Sequence, residues 1–394
     1  MTMILTKLYL YLVAVTGAFT LPTGIPDFAA AAIDSGLALK GLNAVAVAKA
    51  FGQFGGACNL ANVKFRREWR SIPKRQRREF IAAVKCVQSK SSILPSGEVP
   101  GAKSLYDDFV WAHVRRSNLV HMSGNFLVFH RYFLWAYEKA LGDCGWNSGL
   151  PYWEWGLDVD GPHNSPLFDG SDTSLGSDGT FVPNRPPDVL DLIGFSEPVI
   201  IPPGTGGGCV YQGPFSDLVV RLGPFPPDPE RPLPVDPIEG REDNPRCLVR
   251  DLNADPLRRW STFRNVTELI LGYDNIRDFH GVLEGDPRVT TEPMGCHGGG
   301  HAGIGGVGRN PIISPNDPAF WLTHGQLDRV YWIWQMLDFE DRQGVHGTGT
   351  YLNIPPSPNV TVEDTIDVLP HAPPEKIKNL MNSVGGTPFC YVYV

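Results

Sequence analysis

Past its first twenty residues the chain has no apolar run long enough to cross a bilayer, which excludes a polytopic membrane protein. Its glycine-rich stretch from Gly298 to Gly308 is not followed by Lys-Ser or Lys-Thr, which excludes a phosphate loop. No repeat of solenoid type is present. Charge is scarce, at 19% of residues, and its balance is acidic, with a formal net charge of -8. That balance argues against a nucleic-acid backbone or an anionic membrane as the main partner. Low charge beside 42% hydrophobic residues predicts a sizeable core over the 394-residue chain rather than global disorder.

Seven cysteines are present: Cys58, Cys86, Cys144, Cys209, Cys247, Cys296 and Cys390. In an oxidising compartment the simplest count is three disulfides and one spare thiol, and spacing alone leaves the pairing open. Cys209 with Cys247 across a proline-rich loop, and Cys58 with Cys390, are candidate pairs; Cys296, beside His297, is either the free thiol or a metal neighbour. Residues 1–20 read as a secretory signal peptide. Lys7 is a weak basic region, Leu8 to Phe19 is a short apolar core, and Thr16-Gly17-Ala18 or Ala18-Phe19-Thr20 offers small residues for cleavage. A buried N-terminal helix is the plainer alternative. The sequons Asn265-Val266-Thr267 and Asn359-Val360-Thr361 agree with export and make Asn265 and Asn359 candidate glycosylation sites.

Residues 21–55 are small and apolar. Ser71 and Pro73 predict the start of a helix whose basic run to Val87 alternates with Phe80, Ile81 and Val84, as a solvated amphipathic face does. Further helices are predicted over 104–116, with Phe109 and His113 one turn apart, and over 125–141, ended by Gly142. Leu150-Pro151-Tyr152-Trp153-Glu154-Trp155 reads as core packing. Between Pro183 and Pro237 lie 14 of the 36 prolines, which predicts long ordered surface loops over 156–250. A helix over 273–284 carries His280, read as a satisfied structural histidine or, alternatively, a pocket wall or seventh metal-site neighbour.

Two histidine sets stand out from this background. His113, His121 and His130 follow at intervals of eight and nine residues among aromatics. His297 and His301, at i and i+4, share one helix face, and His324 follows on a helix that Asp317 caps with Pro318 at its first position. Gly298, Gly299 and Gly300 lie between the first two, each costing about 1 kcal/mol relative to alanine in a helix. Metal ligation, or close approach by another segment or by substrate, is needed to offset that cost. Two imidazole triplets with almost no thiolate or carboxylate among them suggest two metal ions held by three nitrogens each; imidazole suits copper, zinc, iron and nickel alike. Asp328, at i+4 from His324, either orients groups around the site or partners Arg329 or a backbone group.

Phe129-His130-Arg131-Tyr132-Phe133, Pro151-Tyr152-Trp153-Glu154-Trp155, His297-x3-His301 and Ser314-Pro315-Asn316-Asp317-Pro318-Ala319-Phe320-Trp321-Leu322 running into His324-x3-Asp328-Arg329 together resemble the tyrosinase and catechol oxidase family of type-3 copper proteins. The chain looks like a short fungal polyphenol oxidase over residues 55–394. The resemblance implies a mainly α fold, a four-helix bundle holding a dinuclear copper site, with long Pro/Gly-rich loops and few short strands. His113, His121 and His130 would hold one copper, and His297, His301 and His324 the other. The reduced pair would take up O2 as a bridging peroxide and oxidise an o-diphenol to an o-quinone. Tyr391-Val392-Tyr393 resembles the motif that closes the catalytic core. The expected organisation is a signal peptide over 1–20 and one catalytic domain over 21–394 without a C-terminal lid domain, secreted and of open oligomeric state.

The departures from the family pattern set the expected activity. Leu119 and the absence of cysteine between Cys86 and Cys144 leave no thioether to the second histidine. Gly298 stands where members that hydroxylate monophenols well often have an asparagine that, with a nearby glutamate, holds a water. Glu292 is the candidate for that glutamate, with Glu284 as its alternative. Thr323 stands where many members have a second histidine, and Pro311 or Ile312 lies near the expected gate. These changes favour o-diphenols or o-aminophenols over monophenols. The competing readings are a tyrosinase that also hydroxylates monophenols, a haemocyanin-like O2 carrier, and a histidine-rich dizinc hydrolase, which would recruit bridging carboxylates that neither triplet offers.

Overall fold

The computed structural model describes residues 29–95, 97–224 and 240–394; the expected signal peptide lies outside them. The fold is built on two helix pairs. The first pair is α3 (Leu105–Val120) and α4 (Phe126–Gly142), preceded by α1 (Leu37–Ala50) and α2 (Lys74–Ser89). The second pair, α8 (Gly295–Ile304) and α9 (Ala319–Leu337), follows α5 (Ala254–Trp260), α6 (Phe263–Gly272) and α7 (Ile276–Glu284).

Local chemistry explains where these helices start and stop. Ser104 and Asp107 form a reciprocal capping box at α3. That helix runs four residues past the expected 116, so His121 sits immediately beyond its end in extended backbone. At α2 the expected cap is corrected. Pro73 is the residue before the helix, and the Ser71 hydroxyl instead donates to the carbonyl of Glu68. At α9 Pro318 is likewise the residue before the helix and not its first, while Asp317 accepts from the amide of Ala319.

Aromatic packing joins the pairs. Trp321 of α9 stacks on Tyr137 of α4 with ring centroids 3.6 Å apart, and meets Phe133 and Phe109 at 5.0 and 5.6 Å. Helix α9 is buried on every side apart from its last residue, so its polar groups need partners. Glu154, from the aromatic cluster, accepts from Gln326 at 2.7 Å and from Arg329 at 2.6 Å. Asp328 is therefore not the partner of Arg329. It accepts from Arg131 at 2.6 Å, Arg66 at 3.1 Å, and the hydroxyls of Tyr391 and Tyr393 at 2.7 Å each. Those tyrosines lie on the strand Tyr391–Tyr393, which pairs in parallel with Lys64–Arg66.

The described parts of the proline-rich region, 156–224 and 240–250, form the expected loops, with short ribbons set in them: Gly179–Phe181 with Gly207–Val210, and Asp188–Leu190 with Val199–Ile201; residues 225–239 lie outside the described residues. Three disulfides, Cys58–Cys390, Cys86–Cys144 and Cys209–Cys247, tie the chain, and Cys296 is free and buried. No helix among the described residues is long and apolar enough to cross a membrane.

Candidate metal centre

Each histidine triplet closes on itself. The ligand atoms of His113, His121 and His130 lie within 4.8 Å of one another, and those of His297, His301 and His324 do likewise. The two groups face each other, with the rings of His130 and His324 4.4 Å apart between centroids. His113 comes from α3, His121 from the turn after it, His130 from α4, His297 and His301 from α8, and His324 from α9.

Backbone carbonyls orient four of the rings. The Nδ1 atoms of His113, His121, His130 and His301 lie 2.7 to 2.9 Å from the carbonyls of Ile312, Ser117, Phe126 and Gly308. A ring that donates through Nδ1 presents the lone pair of Nε2. The Nε2 atoms of His113, His130 and His297 are buried with no partner. Those of His301 and His324 stand 2.9 Å apart. At metal–imidazole distances of about 2.0–2.1 Å, two nitrogens at a right angle on one ion stand about 2.9 Å apart. Burial lowers all six imidazoles below the ordinary histidine range, to about 4 for His121 and His301. Neutral, orphaned, converging nitrogens without a thiolate or carboxylate among them are a donor set that fits copper.

Exposure differs among the six buried rings. His113, His130 and His324 are at most 1% exposed, whereas His121, His297 and His301 keep 7 to 8%. Phe126 backs the interior, with its ring 4.8 Å from both His130 and His297. Phe320 stacks on His324 at 4.0 Å.

The glycines of α8 have a packing reason. A Cβ on Gly299 would stand 2.4 Å from the Ser261 hydroxyl, and one on Gly300 would stand 2.8 Å from Trp155. Close approach by α5 and the aromatic cluster is what requires them. At Gly298 the three atoms nearest to an added Cβ all belong to Met294, with its own Cβ at 3.1 Å.

Of the two candidate glutamates, Glu292 is exposed in a surface loop, while Glu284 is buried. Of the two, the alternative candidate Glu284 is the one whose carboxylate is buried. Its Oε1 accepts from the amide of Met122, directly after His121, at 3.0 Å. Its Oε2 lies 2.7 Å from His280 Nε2, so His280 is a satisfied structural histidine; its ring also stacks on Phe126. The sequence signal for Glu284 was its i+4 spacing from His280. Thr323 is fully buried and Pro311 is exposed, while Ile312 is buried and contributes its carbonyl to His113. Asn359 is exposed, whereas Asn265 uses its side-chain oxygen to cap α6.

Residues 103–337 match the family model described as the common central domain of tyrosinase. The chain is 37% identical over 361 residues to tyrosinase P of Aspergillus terreus, covering 89% of this chain and 98% of that protein. It is 33% identical over 349 residues to the N-acetyl-6-hydroxytryptophan oxidase of Emericella nidulans, covering 85% and 93%. Among solved structures, a polyphenol oxidase variant from Thermothelomyces thermophila superposes with a TM-score of 0.82 at 34% identity, covering 91% of this chain and 98% of that one.

Proposed function

The chain belongs to the tyrosinase family of type-3 copper oxidases, and from that premise we propose that it is a secreted oxidase that converts o-diphenols to o-quinones, and o-aminophenols to o-quinone imines, with O2. His113, His121 and His130 hold one copper ion in this reading, and His297, His301 and His324 hold the other. When bound, the copper pair supplies two-electron exchange with O2. The protein orients the ligand rings through backbone carbonyls and keeps bulk water from the interior with Phe126 and Phe320. An o-diphenol approaches from the side on which His121, His297 and His301 retain exposure, and gives up two electrons and two protons as it becomes the quinone.

One observation carries the preference for diphenols. Gly298 has no side chain with which to hold a water, and both oxygens of Glu284 are already engaged, by the Met122 amide and by His280. A monophenol needs its proton removed and its ring hydroxylated, and hydrogen bonds already made by each Glu284 oxygen weaken that carboxylate as a base for the first step. The three disulfides support export, since such bonds persist in oxidising compartments. Asn359 is the better placed of the two sequons to carry a glycan.

The test is O2 uptake by the copper-loaded protein with catechol, 2-aminophenol and phenol in separate cells. Turnover of the first two without the third is expected. Efficient phenol hydroxylation would replace this reading with a tyrosinase. Reversible O2 binding without turnover of any substrate would replace it with an oxygen carrier.

A further inference from the structure

The turn that leads into α8 is strained at one residue. Met294 has φ of 74° and ψ of -39°, in the left-handed half of backbone space that side-chain-bearing residues avoid. The amide of Gly295 closes a three-residue turn onto the carbonyl of Pro293 at 2.9 Å. Packing against the end of α7 enforces the turn. A Cβ on Gly285 would lie 2.4 Å from the Met294 nitrogen, and a Cβ on Gly295 would lie 2.2 Å from the Leu283 carbonyl oxygen. Strained conformations of this kind persist where the surroundings over-determine them, and they cluster at functional sites.

The consequence is where the Met294 side chain goes. It lies one turn before His297 and Gly298, is partly exposed, and packs against the buried cluster of Val199, Ile201, Trp260 and Ala302. Its Cβ, Cε and Sδ stand 3.1, 3.3 and 3.5 Å from where a Cβ on Gly298 would be. The empty position at 298 is therefore not open space, because a thioether already fills it.

We propose that Met294 is a specificity-determining residue: its side chain occupies the volume left by Gly298 and forms an apolar wall over the open side of the second triplet, against which the ring of a diphenol packs. This rests on the diphenol-oxidase reading. A thioether makes favourable contact with an aromatic ring and offers water no good hydrogen bond. The site so built selects o-diphenols whose substituent opposite the hydroxyls is small. It also opposes a side chain at 298, because the nearest obstacle is the Met294 Cβ, fixed by the backbone, and not the flexible chain end.

The experiment compares the parent with Met294→Gly, Met294→Leu, Gly298→Asn and the Met294→Gly/Gly298→Asn double variant, all copper-loaded. Glycine adopts the backbone angle at 294 without strain, and leucine restores the apolar bulk. Met294→Gly is expected to lower the KM for 4-tert-butylcatechol relative to 4-methylcatechol by about tenfold, the scale of a methylene-sized pocket change, with kcat little altered. Met294→Leu is expected to return the ratio to the parent value. Binding of 4-tert-butylbenzoate against benzoate, followed by intrinsic fluorescence, is expected to shift in the same sense and needs no turnover. Gly298→Asn is expected to weaken benzoate binding in the parent background, and Met294→Gly to restore it. A KM ratio and a benzoate ratio both within twofold of the parent in Met294→Gly would overturn the proposal, as would equal effects of Gly298→Asn in the two backgrounds. If the parent turns over no diphenol, the oxidase reading fails by itself, and the benzoate series still reports whether Met294 walls the site.

Discussion

Arg131, directly after His130 on α4, donates to Asp328, one turn after His324 on α9, at 2.6 Å. The two helices that bring one ligand from each triplet are thus joined by an ion pair fully shielded from solvent. Arg66, Tyr391 and Tyr393 converge on the same carboxylate, so the first strand, the last strand and both helices share one anion.

Asp328→Asn is expected to destabilise the protein by about 3–5 kcal/mol, because it leaves the buried Arg131 guanidinium without its counter-charge and leaves Arg66 with Glu138 alone. Burial alone would raise the Asp328 carboxyl, but Arg131 and Arg66 outweigh it and hold the carboxyl below the usual carboxylate range. A carboxyl depressed on folding contributes stability above its unfolded value, about 3.9, and loses it as pH falls through the folded value. Thermal unfolding scanned from pH 6 to pH 3 should therefore show the parent falling toward the variant below about pH 4. Parallel curves over that range would remove Asp328 as the source.

His130→Ala and His324→Ala are each expected to reduce bound copper from two ions per chain to about one, since each removes one of only three nitrogens from its group. Metal analysis after dialysis measures this directly. His280→Ala, outside both groups, should retain both ions. Two tightly bound ions in either ligand variant would sink the ligand assignment.

Glu284→Gln and Glu292→Gln separate the two glutamates. The first disturbs a carboxylate that accepts from the Met122 amide and contacts His280, and a lost buried partner costs about 1–3 kcal/mol. Diphenol kcat/KM should fall by about tenfold or more, because Met122 adjoins the ligand His121. Glu292→Gln changes only an exposed side chain and should match the parent. Equal losses in both would show that the buried carboxylate has no special place at the site.

Replacing Cys58 and Cys390 with serine opens a link across 332 residues of sequence. Removing such a bond typically costs about 2–5 kcal/mol. Urea unfolding of the double variant should show a lower midpoint. Copper content at low urea should stay at two per chain, because the bond is remote from both triplets in sequence and packs with the closing strand. An unchanged midpoint would mean that the Asp328 network alone holds the two ends together.

Much of this protein was legible from spacing. A triplet at eight- and nine-residue intervals, a histidine pair at i and i+4, and an Asp-Pro helix start are local patterns, so the metal groups, their helices and the satisfied His280 followed from the sequence by itself. The disulfide count followed from seven cysteines, although their pairing did not. Tertiary structure decided whatever depends on which segments meet. Arg131 and Arg66 reach Asp328 before its sequence neighbour Arg329 does, because α4 and the first strand face that side of α9 while Glu154 waits on the other. Glu284 lies at the site, although Glu292 is closer in sequence to His297, because α7 ends against the turn after His121. Position 298 is occupied, although its residue has no side chain, because the backbone at Met294 is turned the unfavourable way by packing that no local pattern records.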